Sequence, residues 1–294
     1  MLTVAIATMA GRIESARQLS FALAGDAVDE ILVVAQFPDG AAGFQANDPP
    51  WPDKVTLIVD EHRGLSRSRN IALREARGDH VWTVDDDVQF APGACARVRE
   101  LLKPHPGCIG LVRIGYSDGP GVLTSPRPVG RLGKLYLCRG SSIEMILPRR
   151  LVRERGLTFD ERVGLGTRFP AGEENLFLFE SDRRGLPVVD LGEVLIFHPH
   201  MRPRVGPVGE ADLNLVKIRG HVARQVRHPL SFALALRWGI REFRRVGALR
   251  TLGHLFRGYL AGSTAALTGL PDTDTDGQPV TWRRVQTASA IPAS

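Results

Sequence analysis

Apolar positions over the first two hundred residues follow two alternating rhythms. Short continuous runs at 2–8 (LTVAIAT), 30–36 (EILVVAQ), 54–59 (KVTLIV) and 80–84 (HVWTV) have the length and β-branched content of buried strands. Between them lie stretches of helical spacing, from about Ile13 to Leu23 and from Arg67 to Ala76, the second stopped by Gly78. Strand and helix alternating at this spacing predict an α/β fold, a mostly parallel sheet with helices on both faces. Past residue 90 the rhythm loosens. It predicts a helix over 92–102, a strand over 108–114, a Gly/Pro-rich loop over 117–133 and a strand over 134–138 (KLYLC). A helix over 173–184 and a late strand over 188–197 follow.

The C-terminal third has a different pattern. In 230–246 (LSFALALRWGIREFRRV), Phe232, Leu236, Ile240 and Phe243 recur every three or four positions, with Arg237, Arg241, Arg244 and Arg245 beside them. That is an amphipathic helix with a cationic flank. It can lie on an anionic membrane surface or pack as a cap with its arginines solvated. Residues 271–294 are polar, contain Pro and lack periodicity, so a disordered tail is expected there. The expected organisation is a catalytic domain over 1–210, a basic helical region over 211–270 and the tail over 271–294.

Composition sharpens this division. The chain carries a net charge of +6, yet ten Lys/Arg and the single acid Glu242 fall between Leu215 and Leu267, leaving 28 basic and 31 acidic groups elsewhere. The basicity therefore belongs to one segment, and without a nucleic-acid motif beside it nucleic acid is not expected as a partner. Three cysteines, Cys95, Cys108 and Cys138, with no CxxC pair among them, argue against a disulfide framework or a structural zinc site. The first residues, MLTVAIATMAGR, read as a strand rather than a signal peptide. No uncharged apolar run reaches about 18 residues, so a cytoplasmic protein is expected.

Chemistry concentrates in four places. Asp85-Asp86-Asp87 follows directly on the fourth strand, and alternation turns Asp85 and Asp87 the same way. Side-by-side carboxylates repel, and a divalent ion such as Mn²⁺ or Mg²⁺ relieves that repulsion; a solvated acidic loop is the plainer alternative. Segment 60–70 (DEHRGLSRSRN) could hold a diphosphate with its hydroxyls, backbone N–H groups, Arg63, Arg67 and Arg69, or simply cap a helix. Glu173 and Glu174 open a helix behind a glycine-rich loop, where its dipole alone would favour acids. His198 and His200 close the late strand as FHPH, and alternation puts both imidazoles on one side as possible metal ligands.

Three segments resemble the family-2 glycosyltransferases, inverting enzymes of the GT-A, Rossmann-like fold: 63–88 (RGLSRSRNIALREARGDHVWTVDDDV), 139–152 (RGSSIEMILPRRLV) and 159–179 (FDERVGLGTRFPAGEENLFLF). The resemblance spans roughly the first two hundred residues in the family's order. It implies a nucleoside-diphosphate-sugar donor and a glycan or lipid-linked acceptor, in cell-surface polysaccharide or glycolipid synthesis. Asp85 and Asp87 fall on its DxD motif, with Asp87 the direct metal ligand and Asp85 nearer the donor ribose or a metal water. Arg69 and Asn70 fall beside the donor, joined there by Thr8, Arg12, Gln36, Arg63 and Asp86. Glu174 falls on the catalytic-base position, usually Asp, with Glu173 beside it, and His198 lies where a histidine often meets metal or diphosphate. The second strand ends in Val34-Ala35-Gln36 instead of the acids that often read the base, leaving the base open. Two rival readings are a sugar-phosphate nucleotidyltransferase, for which Thr8-Met9-Ala10-Gly11-Arg12 is a thin version of the expected loop, and a non-catalytic carbohydrate-binding relative.

Overall fold

The computed structural model describes residues 1–46, 50–200, 207–227, 230–268 and 282–285. Strands β1 (Leu2–Met9), β2 (Glu30–Gln36), β3 (Val55–Asp60) and β4 (His80–Asp85) lie parallel in the order β3-β2-β1-β4. Helices α1 (Ile13–Ala24) and α2 (Leu65–Glu75) connect them. Every residue of β2 is buried, as expected of a strand covered on both faces. Its side chains divide by alternation: Leu32 and Val34 enter one core with Ile71 of α2, while Ile31, Val33 and Ala35 enter the other with Leu19 and Leu23 of α1.

Beyond β4 the sheet becomes mixed. The chain continues through β5 (Gln89–Phe90), α3 (Ala94–Leu102), β6 (Ile109–Tyr116), β7 (Gly130–Arg131), α4 (Lys134–Leu137), β8 (Met145–Pro148), α5 (Arg149–Glu154), α6 (Glu173–Arg183) and β9 (Val188–His198). Strand β8 pairs antiparallel with both β4 and β6, and β9 runs parallel to β6. The expected strand at 134–138 is instead the short helix α4, with Cys138 as its C-cap. Strand β8 occupies the slot between β4 and β6, and coiling 134–137 still buries Leu137 while Asn175 donates to the Leu137 and Gly140 carbonyls.

The C-terminal region comprises α7 (Glu210–Gln225), α8 (Ser231–Ile240), α9 (Phe243–Val246), α10 (Ala248–Leu260) and α11 (Thr264–Thr268). Helix α7 is sandwiched. Leu215, Ile218 and Val222 join the main core, while Val216 and Ala223 join a satellite core with Ala235, Val246 and Leu255. Gly220 and Gly258 let α7 and α10 meet backbone to backbone: a Cβ on Gly258 would lie 1.7 Å from the Lys217 carbonyl oxygen, and one on Gly220 2.1 Å from that of Leu255.

Two expectations for this region change. The amphipathic segment 230–246 is broken into α8 and α9, and α8 packs through its small face, Ser231, Ala235 and Gly239, while Phe232 and Ile240 stay exposed. Within the expected tail, Trp282–Val285 forms β10, antiparallel to β3, with Trp282 beneath the guanidinium of Arg74 and Arg284 paired to Glu75. Four residues carry too little periodicity to announce a strand; the open edge of β3 supplies the partner. The rest of 271–294 lies outside the described residues.

Candidate active site

The site is assembled at the carboxyl ends of β1 and β4, where ligands bind in open α/β sheets. Ala7 pairs in register with Asp85, which brings Thr8 beside Asp86, and the Thr8 hydroxyl donates to the Asp86 carboxylate at 2.5 Å. Asp86 is thus turned into the protein, while Asp85 and Asp87 are both about one-third exposed, as strand alternation predicts. A turn of 3₁₀ helix, Ala10–Arg12, carries Arg12 across the triplet, 2.5 Å from Asp86 and 3.2 Å from Asp87. These side chains, with the exposed Arg63 and the Leu165-Gly166 turn, line a cleft of about 430 Å³.

The carboxyls differ in proton affinity because their surroundings differ. Desolvation pushes Asp85 above the ordinary carboxylate range, with the Arg69 charge opposing and Asp87 and Glu173 adding to the rise. Asp86 is raised by burial against the pull of Thr8 and Arg12. Asp87 is held low, chiefly by the His198 imidazole that faces it, and the same contact raises His198.

Among the described residues no three His, Cys, Asp or Glu side chains form a ready-made metal cage. The donor set still suits a hard divalent ion that relies on phosphate and water for its remaining ligands. One oxygen each of Asp85 and Asp87 lacks a hydrogen-bond partner, the nearest cationic nitrogens standing at 3.5 Å and 3.4 Å. His198 Nδ1 is 2.7 Å from the Pro199 carbonyl, so the ring donates there and presents Nε2 to Asp87. His200 does not share that side. Past the end of β9 it stacks on Tyr116 at 3.7 Å and pairs with Asp118 at 2.6 Å, away from the acids. Pro199 ends the strand, and with it the alternation.

Several expected ligands are committed elsewhere. Gln36 lines the cleft, but its amide accepts from the Gly64 N–H and donates to the Gly64 carbonyl, both at 3.0 Å. It therefore fixes the turn before α2, where Gly64 has φ +140°, a value side-chain-bearing residues avoid. Arg67 forms a two-pronged pair with the fully buried Asp60. Asn70 clamps the Phe159 backbone, accepting from its N–H at 2.8 Å and donating to its carbonyl at 2.9 Å, and it also binds Glu161. Asn70 is thus a scaffold residue, not part of the cleft lining.

Arg69 is the hinge of the arrangement. Buried at 2% exposure, it donates to Glu173 at 2.8 Å and to the Ser142 hydroxyl at 2.6 Å, and it faces Asp85 at 3.5 Å. Gly164, at φ +112°, lets its loop press on Ser66 and Glu173, where a Cβ would come within 2.8 Å and 3.2 Å of them. Glu173 is therefore buried and ion-paired, whereas its neighbour Glu174 lines a second cavity and is pushed well above the ordinary range by burial and the adjacent Glu173 charge. Asp85, Arg69 and Glu173 form a chain of charge from the first cleft to the residue before Glu174. Sequence reasoning missed Ser142, although it stood in the RGSS segment, and it missed that arginines far apart in the chain meet around Glu174.

A model of glycosyl transferase family 2 matches residues 7–158, more than half of the chain. The chain belongs to this family. An uncharacterized glycosyltransferase of Haemophilus influenzae is 36% identical over 53 residues, 18% of each chain. The family-2 chain also aligns with S. aureus TarS at a TM-score of 0.57 and 16% identity, over 90% of its own length and 44% of that chain. With TarS 1–349 in complex with UDP-GlcNAc the TM-score is 0.60 at 13% identity, over 88% and 81%. These likenesses establish the GT-A fold. The family-2 chain spans less than half the length of the first of these TarS chains.

Proposed function

We propose that this protein transfers a sugar from a nucleoside-diphosphate donor to an acceptor hydroxyl, in one displacement that inverts the anomeric carbon, with a divalent metal ion. The observation that carries this reading is the charge chain from Asp85 through Arg69 to Glu173, which sets Glu174 on a different cavity from the acid triplet. TarS, a structural neighbour, has been solved with UDP-GlcNAc and with UDP, which supports a diphosphate donor in the cleft of Thr8, Arg12 and Arg63. Asp87, Asp85 and His198 would hold Mn²⁺ or Mg²⁺, whose chemistry when bound is to offset charge on the diphosphate.

The chain's own residues account for the rest. Arg63, exposed at the cleft edge, binds the donor phosphates, and Arg12 moves from Asp87 to the same anion as it enters. Arg69 holds Glu173 and Asp85 in place. Glu174 accepts the acceptor's hydroxyl proton. The acceptor oxygen forms its bond to the anomeric carbon as the bond from that carbon to the diphosphate oxygen breaks, and the electron pair leaves with the nucleoside diphosphate. Burial and the adjacent Glu173 charge raise the proton affinity of Glu174, which favours proton capture by its carboxylate.

The deciding experiment is thermal stabilisation by UDP, GDP, CDP or dTDP with Mn²⁺, in the wild type and Asp87→Asn. The reading expects a metal-dependent shift for one base, lost in the variant. No shift with any nucleotide would remove the donor site from the proposal.

A membrane-associated acceptor is a second part of the proposal. No helix among the described residues is long and apolar enough to cross a membrane. Helix α10, however, keeps Leu249, Leu252, Phe256 and Leu260 exposed along one face, with Arg250 and Arg257 together on one flank of it. That face suits the inner surface of an anionic membrane and a surface glycan or glycolipid built there. Flotation with phosphatidylglycerol liposomes tests it, and a Leu249→Glu/Phe256→Glu variant that floats as well as wild type would refute it.

A further inference from the structure

The second cavity, of about 590 Å³, opens between the catalytic sheet and the C-terminal helices. Its walls come from three separated parts of the chain: Arg139 beyond α4, Glu174 at the start of α6 and Arg219 on α7, closed by Arg237, Trp238 and Arg241 at the end of α8. Four arginines thus border a space holding one carboxylate, Arg139, Arg237 and Arg241 exposed at its mouth and Arg219 half-buried. Arg219 is answered by Glu242. Arg139 donates to a neutral carbonyl, that of Pro126, and stacks on Tyr136. Among the described residues neither Arg237 nor Arg241 has a carboxylate partner. Three of the four positive charges therefore stand without an anion.

Like charges gathered around one opening repel, and an anion entering it relieves that repulsion and accepts from the N–H donors of Arg237 and Arg241. Packing alone gives no reason to set three cations without a carboxylate partner around one opening, whereas Arg245 nearby is paired with Asp212. Planar forks from several directions match the oxygens of a phosphate, and an indole beside them matches the face of a sugar or lipid segment. The volume suits a sugar-phosphate-sized group.

We propose that this cavity is the acceptor site and that it selects an acceptor carrying phosphate, bound by Arg139, Arg237 and Arg241 so that a hydroxyl of the same molecule reaches Glu174. The assignment rests on the reading of Glu174 as the base. Phosphate would be a specificity handle, remote from the bond that changes. Its binding energy positions the hydroxyl without touching the donor cleft, whose acids repel a free anion when no divalent ion is present.

The test uses the full chain in EDTA and follows Trp238 fluorescence, with Trp238→Phe as the control that assigns the signal. The probes are inorganic pyrophosphate, glycerol 3-phosphate and phosphatidylglycerol vesicles, with glycerol as the neutral control. Saturable binding of the soluble phosphates but not of glycerol is expected. Affinity should fall at least about 10-fold in Arg237→Gln/Arg241→Gln and in Arg139→Gln on the opposite wall. Binding of vesicles alone, lost in the same variants, assigns the phosphate to a lipid headgroup and upholds the site. No binding, equal binding of glycerol, or binding unchanged in both variants overturns it. The nucleotide shift with Mn²⁺, measured on the same double variant, should persist, so failure here is distinguishable from failure of the donor reading.

Discussion

In the donor-side cleft the acids come from one contiguous triplet at the end of β4, and Arg12, Arg69 and His198 already stand against them. In the cavity beneath α8 the cations, Arg139, Arg219, Arg237 and Arg241, come from the ends of α4 and α8 and from α7 and border a single carboxylate. One site is acidic and locally encoded; the other is basic and made by convergence. The contrast suits a transferase, which must hold a nucleotide through a counter-charge on one side and admit a chemically different partner on the other. Arg69 lines neither, but it stands between them: it is ion-paired at once towards Asp85 of the cleft and towards Glu173, the neighbour of Glu174.

The largest effect should come from the residue that faces the second cavity. Glu174→Gln is expected to lower turnover at least about 10²-fold while leaving the nucleotide-dependent thermal shift intact. An equal loss of nucleotide binding would place Glu174 on the donor side and erase the distinction between the two sites. Removing the coupling residue should damage both. Arg69→Met leaves Glu173 and Asp85 without their buried counter-charge, at a cost of about 3–5 kcal/mol in a urea unfolding series. A change of only a few tenths would mean the charge chain is not under strain when broken.

A helical-side change should separate the regions. Gly258→Ala forces α10 off α7, whose Arg219 lines the second cavity, and is expected to cost about 1–3 kcal/mol. Acceptor turnover should suffer while the nucleotide shift survives, and loss of both together would show that the helices also shape the donor cleft. The smallest effect is one of pH. His221 on α7 is fully buried and held down to about 4 by desolvation, against an ordinary value of 6.5. The fold favours the neutral ring, so its stabilisation is complete above about pH 6.5 and is lost as pH falls towards 4. Between pH 7 and pH 5 that amounts to about 2 kcal/mol, which His221→Gln should remove from the pH dependence of the urea midpoint. An unchanged slope in the variant would mean another group carries the acid sensitivity.

Legibility followed range. Strands β1 to β4, the helices between them and the triplet at their end were readable because each is specified by neighbouring residues: buried strand runs, helical spacing and a motif of three adjacent acids. Alternation placed Asp85 and Asp87 together, yet it failed two residues beyond β9, where Pro199 released His200 to Tyr116 and Asp118. The segment of α4 failed for a different reason: KLYLC alternates like a strand, and only the prior occupation of the sheet by β8 made it a helix. Gln36, Arg67 and Asn70 were chemically suitable ligands, but their polar groups are satisfied by Gly64, Asp60 and Phe159.

The sequence by itself determined the α/β alternation, the family and the place of the acid triplet, since these depend on periodicities and spacings within a few tens of residues. The tertiary structure alone decided which arginines remain available, which of two adjacent glutamates is tied into an ion pair, and that C-terminal arginines border the cavity of Glu174. Charge acts through distance in space, at a few ångströms, and residues that answer one another here lie more than a hundred positions apart, as Arg69 and Glu173 do. No local pattern carries that information, because the chain brings such pairs together only when the helices close over the sheet.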